Sequence, residues 1–410
     1  MARKAYKKLR VVIAGANFGG TAAALGLPGD ADVTVIDPRP FFEFLPNIHE
    51  LVSGIKTPAQ LRLSRERIIG RAGHRLVQER IVEWSPDERT LATENGLRLS
   101  YDMAVCAVGG VSNFFGTPGA EEHAFDFKSV DDCHAIGTAL AGRLAAPGEL
   151  SVVIVGGGIE GVEALGEVLR RLGKRPGVRI HLIEGRERVL SFGQPGLHNE
   201  IMRQCRHLPV SFHLSAQVRS VYPGSVALAD GTILPADMVI WTGGVTPPPC
   251  LADWELSEGH GQWARVSAGL QSFRFPEIFV VGDAAGLEKP LGKQAYHALE
   301  MGWLAAKNIL RLAEGKEAQA FQPAPKPTLV AFGDRTTFLV ADSFSLAGPA
   351  LALAKEAVYQ SVMAELDSGW VGKRALKIGA RLSSGLREKV FPYALSPRKL
   401  ASLGGVRIIR

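Results

Sequence analysis

The sequence predicts an α/β fold containing two nucleotide-binding units, on three observations. Val152–Val155 is a short β-branched run of the kind that forms a buried parallel strand, and it leads directly into Gly156, Gly157, Gly158 and Gly161. Val11–Ala14 leads in the same way into Gly15-Ala16-Asn17-Phe18-Gly19-Gly20. Each run is followed by a helical stretch and a second apolar strand that ends in an acid, Glu184 in one unit and Asp37 in the other. Strand, glycine turn, helix, strand and acid in that order is the layout of a Rossmann-like dinucleotide-binding unit.

In the later unit Gly156 permits the tight turn, Gly158 lets the backbone approach a pyrophosphate, and Gly161 lets the helix pack on the strand. The helix N-terminus presents N–H groups and the positive end of its dipole to the phosphates. The extended segment Arg179–Ile183 ends in Glu184, whose carboxylate accepts the ribose hydroxyls of an adenosine and repels a 2′-phosphate. NADH is therefore preferred over NADPH, with Arg186 and Arg188 working against the preference. In the earlier unit Asn17 stands where the middle glycine is expected, and its side chain either crowds the pyrophosphate or hydrogen-bonds to it. A helix through Ala22–Leu25 and a strand Val33–Ile36 then lead to Asp37. Two turns predict two dinucleotides, and a chain holding a flavin and a nicotinamide nucleotide has reason to pass hydride between them.

At 410 residues, 46% hydrophobic and 21% charged, the chain has the length for two or three domains with sizeable cores. No apolar run approaches the roughly 18–20 residues of a membrane-spanning helix. The basic N-terminus MARKAYKKLR lacks the apolar region of a signal peptide. Cys106, Cys133, Cys205 and Cys250 are scattered without a C-x-x-C, the pattern of reduced, buried thiols in a cytosolic setting, and the histidines form no metal-type spacing. No metal is expected.

Between the two turns, Phe41–Gly54 is apolar but irregular around Pro46, as a buried loop or the wall of an apolar pocket. Residues 76–98 read as strands joined at Ser85-Pro86-Asp87-Glu88, and Tyr101–Val108 as a buried strand ending in Gly109-Gly110. After the second unit, Asp230-Gly231 marks a turn, Asp237–Trp241 a strand ending in Thr242-Gly243-Gly244, and Ile278–Val281 a strand ending in Gly282-Asp283. Helical periodicity runs from about Ala295 to Leu312, and Pro323, Pro325 and Pro327 read as a linker.

Over residues 9–312 these segments, in this order, resemble the two-dinucleotide flavoproteins, and within them the type II NADH dehydrogenases (NADH:quinone oxidoreductases). The resemblance is carried by Gly15–Gly20, by Tyr101-Asp102 through Gly109, and by Asn113-Phe114-Phe115-Gly116-Thr117-Pro118-Gly119-Ala120-Glu121-Glu122. Gly156–Glu163, Glu184 with Arg188-Val189-Leu190, Trp241-Thr242-Gly243-Gly244 and Gly282-Asp283 complete it. It implies an FAD site built from Gly15, Asn17, Phe18, Gly19, Gly20, Asp37, Ile81, Gly109, Gly282, Asp283 and Ala295. In it Asp37 takes the adenosine ribose, Ile81 offers a backbone group to the adenine, and Asp283 contacts the ribityl and phosphate region; Asp283 also reads as the cap of a following helix. It implies an NADH site at Gly156, Gly158, Gly161, Glu184, Gly243 and Gly244, with the last two glycines giving a stacked ring its close backbone approach. Glu163 matches a glutamate that faces the nicotinamide and flavin; its other reading is a helix acid favoured by the dipole.

Where the family carries A-Q-x-A-x-Q-x-G beside the flavin and the quinone tunnel, this chain has Ala295-Tyr296-His297-Ala298-Leu299-Glu300-Met301-Gly302, with both glutamines replaced. A tyrosine here resembles sulfide:quinone oxidoreductases and apoptosis-inducing-factor-like reductases. The implied quinone site is Pro46, Tyr296, Ala298 and Glu300, with Lys355 a weaker candidate. A disulfide reductase needs a redox cysteine pair beside the flavin, and sulfide oxidation needs a cysteine late in the chain; no cysteine follows Cys250. The expected activity is therefore transfer of hydride from NADH to FAD and two-electron reduction of a membrane quinone. The alternatives are an apoptosis-inducing-factor-like NADH-binding flavoprotein with a partner-binding role, or a sulfide:quinone oxidoreductase-like enzyme.

The net charge of +6 is unevenly spread. From Val371 to Arg410 ten basic side chains face the single acid Glu388, a net +9, which leaves −3 for residues 1–370. Val371, Ala375, Ile378, Leu382 and Leu386 form an apolar row, and Lys373, Lys377 and Arg381 a separate basic one. That pattern predicts a helix lying in an anionic membrane interface, on a cytoplasmic protein peripheral to the inner face of the cell membrane; the other reading is a helix docked on the body with a solvated charged face. The tail lacks the aromatic interleaving of a nucleic-acid surface, and no nucleic-acid partner is expected. The oligomeric state stays open, a homodimer being one option. The expected domains are a discontinuous FAD-binding domain (residues 1–115 and 265–325), an inserted NAD(H)-binding domain (116–264) and a C-terminal helical, membrane-associating segment (326–410).

Overall fold

The computed structural model describes residues 9–145, 148–173, 175–323, 327–367 and 405–409. They form two compact units, each assembled from separated stretches of chain: Met1–Glu43, Arg62–Val111 and Val245–Ala324 in one, and Phe44–Leu61, Ser112–Gly244 and Pro325–Arg410 in the other.

The first unit is built on a five-stranded, all-parallel sheet in the order Ile278–Val280, Met103–Cys106, Arg10–Ala14, Asp32–Ile36, Arg75–Val77. The chain leaves the central strand Arg10–Ala14 toward one edge and later fills the other, which makes a topological switch point at the carboxyl end of that strand. The helix Phe18–Gly26 follows the first glycine turn, and its Ala22, Ala23 and Ala24 are buried. The helix Ala295–Ala313 packs on it where glycine meets glycine: a Cβ on Gly302 would lie 2.1 Å from the Gly19 carbonyl oxygen. A three-stranded antiparallel sheet (Ile81–Ser85, Thr90–Thr93, Arg98–Ser100) is anchored by Trp84, whose indole N–H donates to the Tyr101 hydroxyl at 2.9 Å.

The second unit carries a four-stranded parallel sheet, Val210–Leu214, Val178–Glu184, Leu150–Val155, Met238–Trp241. Every residue of Leu150–Val155 is buried, as expected for a strand covered on both faces; each such Val, Leu or Ile contributes about 1.5–3 kcal/mol. The short helix Glu50–Ser53 lies in this unit, against Val130–Ala145 and Ile159–Leu172. Gly137 admits it: a Cβ there would lie 2.3 Å from the Leu51 carbonyl oxygen.

The C-terminal region departs from the expected helical segment. Thr328–Phe332, Thr336–Val340 and Ser345–Gly348 form an antiparallel sheet, followed by the helix Ala350–Asp367. Two short apolar and β-branched runs around the Gly333 turn are strand signals, and they outweigh the basic composition downstream. The end of the chain returns to this sheet: Arg407–Ile409 pairs with Ser345–Ala347, and Arg407 donates to Glu200 at 2.7 Å. The apolar and basic rows between Val371 and Leu386 lie outside the described residues. The units are also cut differently from the expected boundaries. Residues 44–61 and the C-terminal sheet pack with the second parallel sheet, and residues 245–264 with the first unit.

Candidate functional site

In the first unit the strand Arg10–Ala14 delivers Gly15 with φ +91°, and a Cβ there would lie 2.5 Å from the Ala107 carbonyl oxygen. Only glycine fits that turn. The Asn17 Oδ1 accepts from the Glu43 N–H at 3.1 Å and ties the turn to the strand Phe41–Glu43. Phe18 is buried edge-on against Phe42, with ring centroids 4.9 Å apart. Asp37 ends its strand and accepts from the Ala16 N–H at 2.7 Å and the Arg39 N–H at 2.9 Å. Arg65, at the head of the helix Arg65–Arg71, forms a buried ion pair with Asp37 and donates to the Ala16 carbonyl at 2.9 Å. Burial lowers the Arg65 pKa, opposed by Asp37. Nothing in the local sequence marks Arg65; it is one arginine in a run of polar residues.

The second unit repeats this geometry. Gly156 has φ +105°, and its Cβ would lie 2.6 Å from the Thr242 carbonyl oxygen. Glu184 accepts from the Gly157 N–H at 2.6 Å and the Arg186 N–H at 2.8 Å. Gly158 is the N-cap of Ile159–Leu172 without a side-chain cap, so the first N–H groups of that helix face out of the turn. Gly161 lies under the turn, where a Cβ would be 1.9 Å from the Gly156 carbonyl oxygen. Arg186 is directed to the Ser191 hydroxyl, 2.8 Å away, rather than to Glu184. Gly244 has φ +116°, its carbonyl accepts from the Asn113 N–H at 3.0 Å, and the Trp241 indole N–H donates to the Asn113 carbonyl at 2.8 Å.

At the carboxyl end of the strand Ile278–Val280 the chain makes a single 3₁₀ turn, Gly282–Ala284. Asp283 lies inside it, and the helix Ala295–Ala313 begins well beyond, so Asp283 is not that helix's N-cap. Here a cavity of about 110 Å³ is lined by Gly282, Asp283, Trp263, Lys293, His297, Ala298 and Met301, among others. Lys293 Nζ donates to the Asp283 carbonyl at 2.6 Å and lies 3.8 Å from the centroid of the Trp263 ring. Ala298 is buried, Tyr296 is 41% exposed, and the Glu300 carboxylate is 3.8 Å from His297 Nδ1. Gly109, with φ +76°, follows the neighbouring strand Met103–Cys106, and Ile81 opens the strand Ile81–Ser85. Ala295 is the first residue of its helix.

Glu163 is buried within the second unit, not in the solvated first turn, where Glu160 is the acid. It pairs with Lys355, accepts from the Ala331 N–H at 3.0 Å, and lies 3.4 Å from His49 Nδ1. Burial raises the Glu163 pKa, with Lys355 opposing. Burial, then Lys355, Arg170 and Lys56, hold His49 well below the ordinary histidine value, so the ring is neutral. One turn on, Glu167 accepts a short hydrogen bond from the Ser53 hydroxyl and is pushed up to about 7 by burial. Pro46 sits exposed in the 3₁₀ turn Leu45–Asn47 of the same unit. Sequence reasoning missed His49, whose side chain carries no periodic signal.

None of the four cysteines is in a disulfide bond. Burial raises the thiol pKa of Cys106, and pushes those of Cys205 and Cys250 up to about 11, far from the lowered values of nucleophilic thiols.

Comparison with known proteins agrees with this geometry. The chain is 24% identical over 369 residues to a demethylphylloquinone reductase of Synechocystis, covering 85% of this chain and 91% of that protein. It is 24% identical over 384 residues to a type II NADH:quinone oxidoreductase of Staphylococcus aureus, covering 86% and 95%. Its fold matches NDH2 of Plasmodium falciparum, solved in complex with NADH, with a TM-score of 0.79 at 16% identity over 92% of this chain and 98% of that one. It also matches the sulfide:quinone oxidoreductase of Aquifex aeolicus, with a TM-score of 0.77 at 18% identity over 98% and 97%. A profile of the pyridine nucleotide-disulphide oxidoreductases matches residues 9–302, and the chain belongs to that family.

Proposed function

We propose that the chain is an FAD-dependent NADH:quinone oxidoreductase. The observation that carries this reading is the pair of strand-end acids, Asp37 and Glu184. Each holds the glycine turn of its own unit by a backbone N–H bond, in a chain whose Cys106, Cys205 and Cys250 thiols are raised by burial. Relatives named for quinone reduction support the acceptor. When bound, FAD takes two electrons from NADH and gives them to the quinone.

The residues present fit both dinucleotides. The turn at Gly15 leaves room where a Cβ would collide, and the helix Phe18–Gly26 would offer its N-terminal N–H groups to the pyrophosphate of FAD. A carboxylate oxygen offers more than one acceptor site, so Asp37 keeps its backbone bonds while accepting from a ribose hydroxyl. The turn Gly156–Gly161 and Glu184 would do the same for NADH, and Gly243 and Gly244, without side chains, would let a nicotinamide approach the backbone closely. Tyr296, Ala298 and Glu300 remain the proposed quinone contacts of the first unit, and Pro46 and Glu163 proposed functional residues of the second. The test is an absorption spectrum of purified protein, followed by NADH and then a soluble quinone. Flavin bands that bleach with NADH, recover with quinone and respond more weakly to NADPH are expected. A protein that takes up no flavin on reconstitution overturns the reading.

The enzyme is further proposed to sit on the inner face of the cell membrane through its basic tail, with a homodimer as an open option. Among the described residues no helix is long and apolar enough to cross a membrane. Truncation at residue 370 is a poor test, because it removes Arg407–Ile409 from its sheet and Arg407 from Glu200. The better variant replaces Lys373, Lys377 and Arg381 by glutamine. Each charge contributes on the order of 1 kcal/mol at an anionic surface, so sedimentation with phosphatidylglycerol vesicles at low salt should fall at least tenfold in affinity. Bleaching by NADH should be unchanged. Undiminished vesicle binding would show that these charges are not the anchor.

A further inference from the structure

The cavity at the carboxyl end of the first unit's sheet carries a cation that the dinucleotide motifs do not explain. Lys293 stands at its rim. Its ammonium donates to the carbonyls of Asp283 and Ala285, at 2.6 and 3.3 Å, and rests on the face of Trp263. The helix Ala295–Ala313 begins two residues later, with no acid in its first turn and no side-chain cap on Gln294. An ammonium and the positive end of a 19-residue helix therefore face one small space.

That space lies on the route of the first dinucleotide. Ala298 and Met301 line it, and the next residue on their helix, Gly302, touches Gly19 of the phosphate turn. Ligands of open parallel sheets bind outside the carboxyl ends of the strands at the switch point, here beside Gly15 and the end of Ile278–Val280. We propose that Lys293 is a tuning residue for the flavin: its charge, added to the helix terminus, stabilises the reduced cofactor and raises its potential. This rests on the FAD reading above. Bound FAD that took up a hydride, two electrons and one proton, would gain one negative charge, which Lys293 and the helix terminus would stabilise. A fixed ammonium holds that charge without waiting for solvent to reorganise.

The experiment is a potentiometric titration of the FAD-loaded full chain against a reference dye. Lys293→Met and Lys293→Gln are compared with Lys293→Arg and wild type. Glutamine removes the charge while keeping an N–H donor for the loop carbonyls. Both neutral variants are expected to favour the oxidised cofactor at least tenfold more than wild type, a midpoint about 30 mV more negative for a two-electron couple. Arginine should restore the wild-type potential. An unchanged potential in the glutamine variant overturns the proposal, even where FAD affinity falls, since Lys293 would then serve only the loop or the phosphates. Absence of flavin from the wild type would instead overturn the earlier reading.

Discussion

Replacing Glu163 by alanine is expected to destabilise the protein by about 3–5 kcal/mol, the cost of leaving a buried charge without its counter-charge. The charge left behind is Lys355, whose side chain is 11% exposed, and the Ala331 N–H loses its acceptor as well. Lys355→Met should cost less. Burial already raises the Glu163 pKa, so without Lys355 the carboxyl escapes its penalty by taking up a proton. The double variant Glu163→Gln/Lys355→Met removes both charges and keeps the volume, and it should recover most of the stability lost by Glu163→Ala. Urea unfolding of wild type, Glu163→Gln, Lys355→Met and the double variant closes the cycle. If the double variant is as unstable as the sum of the singles, the two side chains are not coupled and the pair does not hold this part of the unit together.

The parts of the site that sequence reading reached are those written locally. Strand, glycine turn, helix and acid fall within a few dozen residues, and the chemistry of each position is nearly forced, so both turns, Asp37 and Glu184 were legible. The partners of those acids were not. Arg65 pairs with Asp37 across the whole of residues 38–64, and the environment of Glu163 is assembled from His49, Ala331 and Lys355, far apart in the chain. No periodicity encodes such a meeting; it follows from how Glu50–Ser53 and Thr328–Phe332 pack on Ile159–Leu172, and Ala350–Asp367 on the C-terminal sheet. Asn17 could not be settled from sequence for the same reason, since its partner is a backbone N–H at Glu43. The sheet Thr328–Gly348 was missed because a strongly basic tail drew the reading toward a helix, although Thr328–Phe332 and Thr336–Val340 carry ordinary strand signals.

Glu167 gives the unit a stability that falls as pH rises. Its side chain is 1% exposed, and burial pushes its pKa up to about 7, against the opposing pull of the Ser53 hydroxyl and Arg170. The unfolded chain releases this proton near the ordinary value of about 4.3. Between those two values the folded protein holds more protons than the unfolded one, so folding is favoured most below the lower value. The advantage is lost progressively as pH rises through about 7. For a single group with this displacement the loss is on the order of 3 kcal/mol. Glu167→Gln cannot ionise and still accepts from Ser53. It should lie closest to wild type at pH 5 and exceed it at pH 8 by an amount on that order. Thermal midpoints of the FAD-loaded proteins between pH 5 and 8 read this directly, with the wild-type curve descending and the variant flat by comparison. Ser53→Ala removes a bond that favours the ionised carboxylate, so its descent should move to higher pH. Parallel curves for wild type and Glu167→Gln would mean that the carboxyl is ionised in the folded state throughout, and that Arg170 rather than burial governs it.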